Sequence, residues 1–232
     1  MPDRPPTKLI VALDTTDAAT AADWATAVAP YCGLFKLGLE FFLANGPRGV
    51  GLVQSRPVFL DLKLHDIPNT VAGAVRAVLP LKPRMLTLHA AGGAAMIEAA
   101  RRAAEQAGAA RPLLLAVTVL TSVDQAALAA TGIQAGIPDQ VLRLGRLAIE
   151  AGADGLVCSP LEAAALREAL GPGPILVVPG IRPTGAAAGD QARTMTPQQA
   201  IAAGADWIVV GRPITGSDDP AAAAAAISTS IR

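Results

Sequence analysis

Two cysteines and two histidines are all that 232 residues hold of the side chains that most often cross-link a fold or bind transition metals. Cys32 and Cys158 are too few for a disulfide framework and too distant in sequence for a zinc knuckle, so they read as buried structural thiols of a chain kept in a reducing compartment. His65 and His89 are too few for a multi-histidine metal cage, and no metal is expected. Charge excess is missing too. Nineteen Lys and Arg balance nineteen Asp and Glu, which leaves no overall field to attract nucleic acid or an anionic membrane and makes any anion site local. Long apolar runs are also lacking. Leu9–Leu13 is too short for a membrane span or a signal sequence, and the residues before it are polar and proline-rich, so a cytoplasmic location is expected.

What the chain does have is a hydrophobic content of 52%, enough to bury one large core, and residues 1–232 are expected to form one domain. Short apolar runs alternate with Ala-rich stretches of helical periodicity. The runs are Leu9–Asp14, Leu34–Leu37, Val58–Lys63, Met85–His89, Leu113–Val119, Gly155–Cys158, Ile175–Pro179 and Trp207–Val210. Helices are expected at Asp17–Ala29, Val71–Leu79, Ala94–Ala107, Val141–Ala151, Leu161–Leu170 and Pro197–Ala203, with a closing helix around Ala221–Ala226. Eight βα units define an α/β protein of the (β/α)8 TIM-barrel class, for which about 250 residues is usual. An open doubly wound sheet would need a glycine fingerprint after its first strand, where Asp14-Thr15-Thr16 stands instead.

In such a barrel the C-terminal ends of the strands form the active-site mouth, and charged residues interrupt the apolar runs there. Asp14 closes the first run, Lys36 sits within the second, Asp61 and Lys63 alternate at the end of the third, and Asp66 follows in the loop. Alternation puts Asp61 and Lys63 on one face and turns Leu60, Leu62 and Leu64 toward the helices. Charges taken from water must be paired, so these residues imply a network rather than isolated ions.

The run Asp61-Leu-Lys63-Leu-His-Asp66-Ile67-Pro-Asn-Thr70 resembles the signature of bacterial-type orotidine 5'-monophosphate decarboxylases. Further matches fall in family order at Val11–Asp14, Phe35–Gly38, Val117–Ser122, Pro179–Arg182, Gly189–Arg193 and Gly211–Thr215. The resemblance implies a metal- and cofactor-free decarboxylation of orotidine 5'-monophosphate to uridine 5'-monophosphate in pyrimidine biosynthesis. Lys63 would stabilise and protonate the C6 carbanion beside Asp61, with Lys36 and Asp66 completing the charge array. It also implies a homodimer in which Asp66, Ile67 and Thr70 reach the neighbouring subunit's site. Asp14 and Lys36 would meet the ribose, and Thr121, with Ser122 as its alternative, would lie near the base. Gly211, Arg212 and Arg182 would surround the phosphate, under a lid from Arg182 to Thr194 that carries Gln191.

Two departures from the family pattern matter. Pro213 has no N–H to offer the phosphate where serine is frequent, and Ala91 stands where a hydroxyl residue is often found. His89 reads as a structural residue lining the barrel, and Gly92-Gly93 as a tight turn. The alternatives are a magnesium-dependent sugar-phosphate decarboxylase or aldolase of the same superfamily, and a catalytically silent nucleotide-binding barrel.

Overall fold

The structure, a computed structural model, describes residues 7–183 and 194–231. Strand β1 (Leu9–Ala12) is buried along its whole length. Ile10 and Ala12 turn into the barrel, while Leu9 and Val11 pack in the layer between strands and helices. The same alternation runs through β2 (Leu34–Gly38), β3 (Val58–Leu64), β4 (Met85–His89), β5 (Leu113–Val117), β6 (Gly155–Val157), β7 (Ile175–Val178) and β8 (Trp207–Val210). Each strand pairs in parallel with the next, and β8 returns to β1 with Val210 opposite Val11, which closes the barrel. Phe59, Met85, Leu115, Val177 and Val209 fill the interior. As expected, Leu60 and Leu62 lie in the outer layer, with Leu64 packed against it.

Several strands stop earlier than their apolar runs. β1 ends at Ala12 and β5 at Val117, because past these points the chain leaves the pairing ladder. Leu13 still donates its N–H to the Lys36 carbonyl at 3.0 Å, but Asp14 stands beyond, as Thr121 and Pro179 do on other strands. Residues expected at strand ends therefore belong to the mouth loops.

Helix α1 (Ala18–Val28) starts where Asp17 accepts the N–H groups of Ala19 and Thr20. α2 (Leu39–Gly51) was not anticipated, because Gly46 and Pro47 interrupt its pattern; Gly46 takes φ +59° there and kinks the helix. α3 (Pro68–Val78) begins before the expected Val71, since proline suits the first helical turn. α4 (Ala94–Glu105) follows, then the short, unanticipated α5 (Gln125–Ala130), capped by Asp124. α6 (Ile137–Glu150), α7 (Ala163–Leu170), α8 (Pro197–Ala202), the one-turn α9 (Arg212–Thr215) and α10 (Pro220–Ser230) complete the outer ring. Among the described residues no helix is long and apolar enough to cross a membrane.

The face opposite the mouth is held by a repeated device. Ala151-Gly-Ala-Asp154 precedes β6 and Ala203-Gly-Ala-Asp206 precedes β8. Asp154 accepts the Leu114 N–H at 2.8 Å, and Asp206 accepts that of Leu176 at 2.8 Å, so each carboxylate staples a neighbouring strand. Each is balanced by arginine. Arg111 grips Asp154 through both nitrogens, at 2.7 and 2.9 Å, with Arg101 at 3.0 Å, while Arg167 holds Asp206 at 2.7 Å.

Candidate active site

The mouth of the barrel encloses a cleft of about 520 Å³. Asp14, Lys36, Asp61, Lys63, Thr121, Arg182, Gly211 and Arg212, all expected site residues, line it together. Register explains the convergence on one side. Ala12 pairs with Lys36 and Gly38 with Asp61, so β1, β2 and β3 bring their charges to one level. Lys36 Nζ lies 2.8 Å from Asp14 Oδ1 and 3.7 Å from Asp61 Oδ2, and Lys63 Nζ lies 2.8 Å from the same Asp61 oxygen. Gly38 leaves room for this array: a Cβ there would stand 3.0 Å from Lys36 Nζ and 3.2 Å from Asp14 Oδ1.

The order Asp14, Lys36, Asp61, Lys63 alternates in sign, which compensates for the removal of these charges from water. Asp61 is the most enclosed carboxylate of the array, with 13% of its side chain exposed against 52% for Asp14. Burial pushes its carboxyl upward, and the ammonium groups of Lys36 and Lys63, with hydrogen bonds from Lys63 and Thr87, more than offset this and hold it below its ordinary value. It is therefore ionised at neutral pH, acting only as an acceptor.

Lys63 does not continue the strand regularly. Its φ is +49°, a left-handed conformation that costs a non-glycine residue about 1–2 kcal/mol. Between the pairs Leu60–Leu86 and Leu64–Leu88 the register of β3 and β4 shifts. The Lys63 N–H there donates to the Thr87 hydroxyl at 2.8 Å, and that hydroxyl donates to Asp61 Oδ1 at 2.9 Å. Thr87 went unremarked in the sequence. The sequence shows only a polar residue in the inward phase of Met85-Leu-Thr-Leu-His89; the structure shows that it is fully buried and which β3 residues it meets.

Beyond the ends of β7 and β8, on the side of the mouth that adjoins β1, stand two guanidiniums. Arg212 opens α9 just after β8 and is exposed, and Arg182 donates to its neighbour's carbonyl on Ile181 at 2.9 Å. Burial and then the nearby charge of Arg212 hold Arg182 below its ordinary value. Gly211 keeps this wall low: an added Cβ would meet Ala12 Cβ at 3.4 Å. Pro213 lies in the first turn of α9, where it supplies no N–H.

Other expected site residues are not brought into the cleft of this chain. Asp66 lies on the exposed loop after β3 with its Oδ1 accepting the Ile67 N–H at 2.6 Å, and Ile67 and Thr70 are exposed beside it. The fourth charge of the in-chain array is thus Asp14, not Asp66. Gln191 and most of the expected lid lie outside the described residues, although Ile181 and Met195 pair on either side of that segment. His65 packs against His89 with ring centroids 5.3 Å apart. Burial, then His65 and Lys63, lower the pKa of His89. Cys158 lines the cleft as a buried thiol whose ionisation burial strongly opposes, and burial pushes Cys32 up to about 12, so neither serves as a nucleophile.

A parallel barrel with interlocked Lys and Asp side chains at its C-terminal mouth and two guanidiniums lining the same cleft is the architecture of a barrel enzyme that handles a small anion. Residues 7–227 match the Orotidine 5'-phosphate decarboxylase / HUMPS family, and the chain belongs to that family. An orotidine 5'-phosphate decarboxylase of Anaeromyxobacter sp. (strain K) is 56% identical over 231 residues, covering 98% of this chain and 100% of that one. One of Gluconobacter oxydans is 57% identical, covering 95% of each. Among solved structures, the orotidine 5'-phosphate decarboxylase of Lactobacillus acidophilus superposes with a TM-score of 0.86 at 38% identity, covering 99% of this chain and 100% of that one.

Proposed function

We infer that the cleft converts orotidine 5'-monophosphate to uridine 5'-monophosphate, a carboxy-lyase reaction of pyrimidine biosynthesis, with Lys63 as the group that stabilises and then protonates C6. The observation carrying this reading is the Lys63 ammonium held 2.8 Å from an enclosed, ionised Asp61 that also faces Lys36 at 3.7 Å. The C6–carboxylate bond breaks, carbon dioxide leaves, and the electron pair stays on C6 as a vinylic carbanion. That charge is localised, so it needs a fixed cation in a site of low dielectric. Lys63 gives a proton to C6 and regains one from solvent. Asp61 has two effects. It fixes the Lys63 ammonium, and it stands beside the substrate carboxylate, whose repulsion is relieved as carbon dioxide departs.

The rest of the cleft binds. Arg212 and Arg182 hold the phosphate, Asp14 and Lys36 the ribose, and Thr121 the base edge. A barrier reduction of roughly 20 kcal/mol is near the upper range of enzyme catalysis, and distant phosphate contacts must contribute to it by holding the reacting carbon against Lys63. The exposed, apolar Ile67, with Asp66 and Thr70, supports a homodimer in which these three residues complete the partner's cleft. The two buried, unpaired thiols support a cytoplasmic setting. The test is the ultraviolet absorbance change of orotidylate under metal-stripped protein, with Lys63→Ala alongside. A requirement for magnesium would transfer the chain to the enediolate chemistry of its superfamily.

A further inference from the structure

We propose that Thr87 is a positioning residue of this reaction: its buried hydroxyl, 2.9 Å from Asp61 Oδ1 and 2.8 Å from the Lys63 nitrogen, sets the geometry of the Lys63–Asp61 pair. Four residue steps on β3, from Leu60 to Leu64, stand against only two on β4, from Leu86 to Leu88. A regular ladder cannot absorb that surplus, and the left-handed turn at Lys63 takes it up. The turn denies the Lys63 N–H a strand carbonyl, and Thr87 supplies the acceptor in its place.

The hydroxyl has no freedom left. An amide only donates and an ionised carboxylate only accepts, so Thr87 must take the Lys63 N–H on a lone pair and give its proton to Asp61. The result is a closed ring. Asp61 Oδ1 is tied through Thr87 to the Lys63 backbone, while Asp61 Oδ2 is tied directly to Lys63 Nζ. The carboxylate can neither rotate nor turn its second oxygen away from the lysine, and the strained turn under Lys63 is held by the same hydroxyl. Thr87 is fully buried and is not among the residues that line the cleft, so its effect on the reaction passes through Asp61 and Lys63. This inference rests on the role assigned above to that pair.

The experiment compares wild type, Thr87→Val, Thr87→Ser, Thr87→Ala and Lys63→Ala on orotidylate, measuring kcat and KM across pH together with thermal midpoints. Thr87→Val keeps the shape and removes the hydroxyl; kcat should fall about tenfold to a hundredfold, the scale of one hydrogen bond to a charged group, with KM changed less than about threefold. The acid limb of kcat should move to higher pH, because Asp61 loses a donor that favours its ionised form. Thr87→Ser should recover kcat to within about threefold of wild type. Should Thr87→Val fail to fold, the Ser and Ala variants still isolate the hydroxyl, since both lack the methyl group. A Val variant with wild-type kcat and pH profile, or Ser and Ala variants with equal kcat, would overturn the role of Thr87. Turnover retained by Lys63→Ala would instead overturn the role of the charge pair itself.

Discussion

Lys63 Nζ and Asp61 Oδ2 meet at 2.8 Å, although the two residues stand two apart on one strand. In a regular strand their side chains would run side by side, about 6.6 Å apart at the backbone. The left-handed turn at Lys63 tips the lysine back over the carboxylate, and Lys36 approaches from the adjacent strand. The strain of that turn falls on the residue proposed to supply the cation at C6, the setting in which unusual backbone conformations are retained.

The two guanidiniums give a test of remote binding. Arg212→Ala should lower kcat/KM for orotidylate about tenfold to a hundredfold, as expected for loss of a charged hydrogen-bonding partner of phosphate. The nucleoside orotidine, which has no phosphate, should react with both proteins at rates within about twofold. Equal losses on both substrates would mean that the substitution disturbs the fold instead of the phosphate site.

Asp66 lies outside the in-chain array, and the proposed homodimer, in which it would complete the partner's cleft, can be tested by mixing. Lys63→Ala and Asp66→Asn homodimers should each be nearly inactive. Dissociated together and reassembled, half of the dimers are mixed, and an isologous interface gives each mixed dimer one intact site, or about a quarter of wild-type activity overall. Verified heterodimers with no gain over their parents would place the whole site within one chain.

Much of this was legible beforehand, for identifiable reasons. Strand alternation sorted Leu60 and Leu62 to the outer layer. Charged residues interrupting apolar runs marked the mouth, and Asp14, Lys36, Asp61 and Lys63 do interlock there. The contact between Asp61 and Lys63 was foreseen, but its cause was not: a shift of register against β4 leaves no trace in the period of a single strand. Thr87 escaped for the same reason, because its importance depends on which β3 residue lies opposite. α2 escaped because Gly46 and Pro47 read as a helix boundary, whereas the helix kinks and continues.

The opposite face of the barrel offers a stability test. Asp154 is mostly buried; burial raises its pKa, but hydrogen bonds from Arg111 and Leu114 and the charges of Arg111 and Arg101 bring it below the ordinary value. A carboxylate depressed by folding adds stability above its unfolded pKa, near 3.9, and loses that contribution as pH falls through its folded value. Asp154→Asn should therefore lower stability at pH 7 by about 2–3 kcal/mol, the scale of charged hydrogen bonds lost from a partly buried site. The difference from wild type should narrow below about pH 4. Denaturant titrations at several pH values check this, and a difference independent of pH would show that the charge of Asp154 is immaterial.

The most direct measurement is orotidylate turnover by chelator-treated wild type and Lys63→Ala, made beside the affinity of each for uridylate. Wild type should keep full activity without metal, because the Lys63 ammonium supplies the cation at C6. Lys63→Ala should lose at least about a thousandfold in kcat, since electrostatic stabilisation and proton donation are removed together, while uridylate affinity changes less than about threefold. Turnover of the chelated wild type that returns only with magnesium, or a Lys63→Ala protein within tenfold of wild type, would contradict the assignment.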